Sequence, residues 1–375
     1  MTTPGSVPSP VLDRSAQPAS HRAPRTDIVL RPAATAMAFL GAGHPHEEIA
    51  VPGVALAAHD VLVAIELSTI CGSDVHIVQG RRAAPVPVVL GHESVGRILA
   101  IGAGGVDAAD GTPLHIGDRV IWSATVSCGV CDRCRSGLTQ HCRELGEYGH
   151  ERIAPHRELT GGFASHAQLR EGTVIVRVPE HLPASVLAPA SCATATAWAA
   201  VDAAARTRDL EGARVRVHGA GLVGLSAAAI ARSRGAIVDV KDPDPARREL
   251  VHWFGAASRA EGVPDVVIEA SGDAVSEALS EAAVGGVVVL VGGDLPAEPV
   301  PLDAGSLRHR LVTIVGVHGC ARADLSAAVS FLAGPGRAHP FDEVVSAVHP
   351  LSEIDRALAA AAVPDAPLRI AVAHR

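Results

Sequence analysis

Two short stretches carry the side chains that could do chemistry. Cys71-Gly72-Ser73-Asp74-Val75-His76 offers a thiol, a hydroxyl, a carboxylate and an imidazole, and Leu90-Gly91-His92-Glu93-Ser94-Val95-Gly96 offers an imidazole beside a carboxylate. A second thiol of the same type arrives far downstream, Cys192 in Ala190-Ser191-Cys192-Ala193-Thr194-Ala195-Thr196. Soft thiolates with an imidazole and a carboxylate are the ligand types a catalytic zinc prefers. Three protein ligands leave the fourth tetrahedral position for water or substrate, which separates a catalytic zinc from a structural one. Taken alone, Cys192 in its alanine-rich run also reads as a small core residue.

A second cluster has a different character. Cys128, Cys131, Cys134 and Cys142 form C-x2-C-x2-C-x7-C. Tight C-x2-C turns place two thiolates around one metal, and four thiolates close a tetrahedron with no open position. The expectation is a structural zinc in the lobe 128–142, with an iron–sulfur cluster as the chemical alternative. Cys320 has no metal-type neighbours and reads as a plain thiol.

A third constellation is a glycine loop. The strand-like run Val215-Arg216-Val217-His218 leads into Gly219-Ala220-Gly221-Leu222-Val223-Gly224, a helix-like segment follows, and Asp242 answers eighteen residues after Gly224. That order is what the dinucleotide fingerprint requires. Gly219 permits the tight turn, Gly221 lets the backbone approach a pyrophosphate, and Gly224 lets helix and strand pack closely. Leu222 and Val223 open a helix whose N-terminus favours phosphate. Asp242 would accept hydrogen bonds from a ribose and repel a 2′-phosphate, favouring NAD over NADP. Asp239 and Asp244 compete for that role, and Arg247 or Arg248 nearby weakens the exclusion of NADP.

These groups need scaffolds. A chain of 375 residues exceeds one ordinary core, so two domains are expected. Aromatic residues are scarce (5 Phe, 3 Trp, 1 Tyr), so the core must be aliphatic. From about Val29 to Leu182, short β-like runs broken by Gly, Pro and Asp suggest a barrel-like domain, and after Pro183 alanine-rich helical segments alternate with aliphatic strands as βαβ units do. The division expected is a disordered tail 1–28, a catalytic domain 29–185, a dinucleotide-binding domain 186–325, and a return 326–375 to the first domain. The fold class expected is α/β, with a doubly wound parallel sheet.

The net charge is −8 with no basic stripe, which argues against nucleic acid or an anionic membrane as partner. No apolar run reaches transmembrane length, and the N-terminus lacks the pattern of a secretory signal. Seven cysteines without such a signal point to a reducing, cytoplasmic setting.

Together CGSDVH, GHESVG, GDRV, the four-cysteine lobe and GAGLVG with Asp242 make the chain, from about Val51 onward, resemble the zinc-dependent medium-chain dehydrogenases of alcohols, threonine and polyols. SCATATAW and VIWSATVSCGVCDRCRSGLTQHC are most similar to a subgroup described as phosphonate-catabolism-associated alcohol dehydrogenases. The resemblance implies a GroES-like β-barrel catalytic domain joined to a Rossmann domain, two zinc ions per subunit, NAD, and a homodimer or homotetramer. It implies Cys71, His92 and Cys192 as catalytic zinc ligands, with Glu93 as a neighbouring or exchanging ligand. Ser73 and His76 match a proton relay, Thr196 a residue near the nicotinamide, and Asp74 a carboxylate that pairs with a C-terminal arginine, here Arg369. Cys192 stands where polyol and threonine enzymes often carry Glu, which favours a simple alcohol.

The activity implied is hydride transfer between a small alcohol and NAD. A phosphonate-bearing substrate would need a cationic pocket, for which Arg81, Arg82 and Arg170 are candidates. Alternatives are a cyclitol, polyol or amino-alcohol dehydrogenase, an epimerase or lyase with tightly held NAD, and a non-catalytic dinucleotide-binding protein. The last is disfavoured because every metal-type residue is intact.

Overall fold

The computed structural model describes residues 25–258, 262–293, 299–363 and 365–373. The tail expected over 1–28 lies mostly outside the described residues, but its last three residues do not belong to it. The strand Thr26–Phe39 already begins there and pairs antiparallel with Glu47–Leu56, because Ile28 and the alternating apolar residues after it have an apolar partner strand.

The first domain is a curled β structure organised around the strand Val61–Thr69. That strand pairs antiparallel with Glu93–Ile101, with His166–Leu169 and with the terminal strand Arg369–Ala373. Alternating residues such as Val61, Val63 and Ile65 face a core with Ile98, Val120 and Trp122, while Leu62 joins Val88, Val89 and Leu90 on the other side. Two-sided burial explains why this strand is almost entirely apolar.

The register of the central strand decides where chemistry can gather. Thr69 lies opposite Glu93 on one neighbour and opposite Ala371 on the other. The ends of three segments distant in sequence therefore meet at one point, just beyond Thr69, and bring Cys71, His92 with Glu93, and Arg369 side by side.

The second domain is a five-stranded parallel sheet in the order Ile237–Lys241, Arg214–His218, Val266–Glu269, Val287–Leu290, Thr313–Gly316. Val266, Ile268, Val287 and Val289 pack against the helices Ala193–Ala205 and Leu222–Ser233. Val267 and Val288 turn the other way onto Ala278 and Ala282. Small alanines let the helices sit close to the sheet. The helix Arg322–Ala333 runs across the domain boundary expected at 325, because Leu325, Ala328 and Leu332 are buried in this same core. The boundary therefore belongs after that helix. Among the described residues no single helix is long and apolar enough to cross a membrane.

Candidate active site

Cys71 is the N-cap of the helix Gly72–Val78, and its backbone N–H donates to Asp74 Oδ2 at 2.9 Å. Asp74 also accepts from the Gly91 N–H at 3.2 Å, so one buried carboxylate ties the Cys71 turn to the residue before His92. Its Oδ1 stands 3.7 Å from His92 Nδ1. With Nδ1 facing Asp74, Nε2 is the His92 nitrogen left to face the cysteines. Cys192 arrives at the start of the helix Ala193–Ala205, where Ser191 Oγ donates to the His92 carbonyl oxygen at 3.4 Å.

The ligand atoms of Cys71, His92, Glu93 and Cys192 lie within 4.8 Å of one another. A tetrahedral site with metal–sulfur bonds of about 2.3 Å needs ligand atoms roughly 3.8 Å apart, so the set fits a zinc ion. The electrostatics agree. A hydrogen bond from Cys192 holds the Cys71 thiol well below its ordinary range, while the same bond and burial push Cys192 well above it. A crowded pair of thiols sharing one proton is relieved by a dication.

Glu93 is set apart from the other three. Arg369 donates to both of its oxygens, Nε to Oε2 and Nη2 to Oε1 at 2.8 Å each, and Thr69 Oγ1 donates at 2.6 Å. This corrects the pairing of Arg369 with Asp74. The strand register places Arg369 against Glu93, and Asp74 is consumed by the Cys71 turn and His92.

Cys128, Cys131, Cys134 and Cys142 also converge within 4.8 Å. Backbone N–H groups of Cys128 and Glu144 each lie 3.3 Å from Cys142 Sγ. N–H groups of Arg143 and Cys134 bring the Cys131 thiol down to about 6, while burial drives Cys134 up to about 12. The four converging sulfurs suit a closed zinc site, in which a dication would stabilise the thiolates that burial alone disfavours. Cys320 lies away from both groups, and burial pushes its thiol up to about 12, which disfavours the thiolate.

Gly219 has φ +97°, and a Cβ on Gly224 would fall 1.9 Å from the Gly219 carbonyl oxygen. A Cβ on Gly221 would meet nothing within 4 Å, so the space beside it is open for a ligand. Leu222 and Val223 form the first turn of the twelve-residue helix Leu222–Ser233. Asp242 Oδ2 accepts from the Ala220 N–H at 2.7 Å, which fastens it to the loop. Asp239 is paired with Arg216 at 2.8 Å, and Asp244 caps the helix Pro245–Leu250, so both rivals are already engaged. A cleft of about 220 Å³ is lined by Cys71, Gly72 and Arg369 on one side and by Gly221 and Leu222 on the other.

Ser73 is buried on the helix beginning at Gly72, and His76 follows one turn later, half-buried. Thr196 sits one turn into its helix, its N–H donating to the Cys192 carbonyl at 2.9 Å. The candidate arginines separate: Arg170 pairs with Glu151 at 2.6 Å in another cavity, and Arg81 is exposed. Arg82 alone is half-buried near His76, its N–H donating to the His76 carbonyl at 3.1 Å. The sequence leaves His150 among several loop histidines, one or two of which could line a substrate pocket, and does not select it; its ring centroid stands 5.4 Å from that of His92. Its signal was Gly149, a glycine directly before a histidine in a loop.

Comparison with known proteins agrees with this geometry. Residues 57–180 match the alcohol dehydrogenase GroES-like domain, and residues 223–334 match the zinc-binding dehydrogenase domain. Over 296 residues the chain is 34% identical to an L-threonine 3-dehydrogenase of Anaeromyxobacter sp. (strain K), covering 72% of this chain and 79% of the relative. It is 33% identical over 265 residues to a 5-exo-hydroxycamphor dehydrogenase of Pseudomonas putida, covering 69% of this chain and 70% of that one. An alcohol dehydrogenase structure from Thermotoga maritima superposes with a TM-score of 0.81 at 28% identity, covering 91% of this chain and 99% of that one.

Proposed function

Because the chain belongs to the zinc-containing medium-chain alcohol dehydrogenase family, whose members are NAD(P)-dependent oxidoreductases, we propose that it oxidises a small alcohol, or reduces the matching aldehyde or ketone, with NAD. The observation that carries this reading is the single cleft in which Cys71 and Arg369 face Gly221 and Leu222.

Cys71, His92 and Cys192 would hold the catalytic zinc, and the four-cysteine lobe the structural one. When bound, zinc supplies a Lewis acid for the alcohol oxygen and the nicotinamide a hydride acceptor. Glu93, gripped by Arg369 and Thr69, stays beside the ligands and balances the buried guanidinium. Asp74 orients His92 through Nδ1. Ser73 Oγ would accept the proton of the substrate hydroxyl as it gives up its own toward His76, which lies one turn nearer solvent and would pass a proton outward.

Gly221 and the helix N-terminus at Leu222 and Val223 bind the pyrophosphate. Each oxygen of Asp242 already accepts one backbone N–H and keeps a lone pair for a ribose hydroxyl, while its charge opposes a 2′-phosphate. Arg247 and Arg248 are engaged by the carbonyls of Ala366, Asp242 and Pro243, which leaves them poorly disposed to favour NADP. Thr196, one turn beyond Cys192 on the same helix, would stand near the nicotinamide, as the resemblance to the family implies. Having Cys192 as the third ligand supports a simple alcohol, and a phosphonate-bearing substrate rests on Arg82 alone.

The test is to follow reduced nicotinamide over an alcohol panel with NAD and NADP. Alcohol-dependent NADH formation, with NADP the poorer partner, supports the reading. Bound NAD that cycles without net NADH release would favour an epimerase or lyase instead.

A further inference from the structure

Arg170 lines a cavity separate from the candidate active site. That cavity has a volume of about 310 Å³ and shares no lining residue with the cleft of Cys71 and Gly221. Ligand pockets run from about 300 to 1,000 Å³, and a single water takes up about 30 Å³, so the space admits a small metabolite.

Two polar groups of its lining residues have no partner. Thr160 is 2% exposed, and its Oγ1 has no hydrogen-bond partner among the described protein groups, although its carbonyl accepts the Gly149 N–H at 2.8 Å. Arg170 is held firmly: Nη2 donates to Glu151 Oε1 at 2.6 Å, the backbone N–H donates to the Tyr148 hydroxyl at 2.8 Å, and the guanidinium lies over the Tyr148 ring. Its Nε is buried and has no acceptor among the described protein groups. A buried donor left unpaired destabilises the fold, and a ligand that accepts from it relieves that.

The inner acceptors, by contrast, are engaged. Asp60 Oδ2 accepts from the Ala57 N–H at 3.1 Å and from Gln168 Nε2 at 2.9 Å, and Oδ1 accepts from the Glu171 N–H at 3.3 Å. At the mouth, the exposed Arg25 and Arg157 offset the exposed Glu144 and Glu171. His156 reaches the mouth on a backbone at φ +63°, left-handed strain of the kind that gathers at ligand clamps. The cavity therefore presents donors without acceptors and matches a ligand with the opposite pattern.

We propose that this cavity binds a small oxyanion, a phosphate or a carboxylate, with Thr160 Oγ1 and Arg170 Nε donating to its oxygens and Arg157 and His156 closing the mouth. Ionised oxygens only accept, so such a ligand brings no donor that would find the Asp60 oxygens already taken. The site does not rest on the dehydrogenase reading.

The test is calorimetric titration of the zinc-replete full chain with inorganic phosphate and with malonate. NADH is present to occupy the loop at Gly221, and a chloride background fixes the ionic strength. One saturable site is expected, and the tighter of the two anions identifies the group. Thr160→Val keeps the shape and should weaken binding by about tenfold. Arg157→Ser changes an exposed side chain and should weaken it by about two- to fivefold, which decides the matter should Thr160→Val fail to fold. Phosphate should also raise the melting temperature of wild type more than that of Thr160→Val. No saturable binding of either anion would overturn the proposal. Binding equally tight in wild type and both variants would overturn it too, because the anion would then sit elsewhere.

Discussion

Arg369 and Glu93 form a bidentate ion pair inside the protein, two hydrogen bonds of 2.8 Å joining the terminal strand to the segment that carries His92. Glu93 is completely buried, and Arg369 Nη2 also lies 3.9 Å from Cys71 Sγ. The pair thus locks the return strand, holds one carboxylate in place beside the metal-type cluster and places a cation near a thiolate.

Breaking it leaves a buried carboxylate alone. Arg369→Met is expected to lower the unfolding free energy by about 3–5 kcal/mol in denaturant titrations. Arg369→Lys should fall between, because a point charge cannot match the guanidinium fork. Unchanged stability in both would contradict the role assigned to the pair.

Asp74 acts through His92. Asp74→Asn keeps the shape but removes the charge facing Nδ1, and zinc affinity at the Cys71 site should drop by about 10–100-fold in chelator competition, with the four-cysteine site unaffected. Equal loss from both sites would mean that Asp74 serves the fold in general.

The dinucleotide loop separates stability from binding. Alanine at Gly221 meets open space at φ −73°, so stability should hold or rise by up to about 1 kcal/mol, while NADH binding weakens. At Gly224 the added Cβ strikes the Gly219 carbonyl, and the cost should be about 2 kcal/mol or more. Thermal melts with and without NADH check both, and matching effects at the two glycines would contradict the reading.

Glu281 gives the dinucleotide domain an acid-sensitive clasp. Burial pushes its carboxyl up, but hydrogen bonds from Lys241 and Arg216 outweigh that and bring it down to about 2. A depressed carboxylate stabilises above its unfolded value, about 4.3, and that contribution fades as pH falls toward 2. Glu281→Gln should therefore cost about 1 kcal/mol at neutral pH, after allowing for solvent screening. The gap to wild type should close in acid, and a gap constant with pH would contradict the assignment.

How much of this was legible in the sequence depended on whether a residue's type alone announces its chemistry. Cys71, His92, the four-cysteine lobe and the glycine loop were readable because thiols and glycines at tight spacing have few other uses. The βαβ texture was readable from runs such as Val287–Leu290, which are apolar because both faces are covered. Pairings set by strand register were not. Arg369 meets Glu93 and not Asp74 because Thr69 lies between Glu93 and Ala371 across the sheet, a fact of hydrogen bonding that no local pattern encodes. The helix Arg322–Ala333 crossed the expected boundary because burial, not composition, assigns it to a domain. His150 was hidden among 19 histidines until the close approach of Gly149 to Gly91 singled it out.

The most direct measurement is the zinc content of purified wild type and His92→Ala, taken with alcohol-dependent NAD reduction. The account predicts two zinc ions per chain falling to one, the remaining ion held by Cys128, Cys131, Cys134 and Cys142, together with loss of NADH formation. One zinc in both proteins, or undiminished activity in His92→Ala, would contradict the assignment of Cys71, His92 and Cys192 as the catalytic centre.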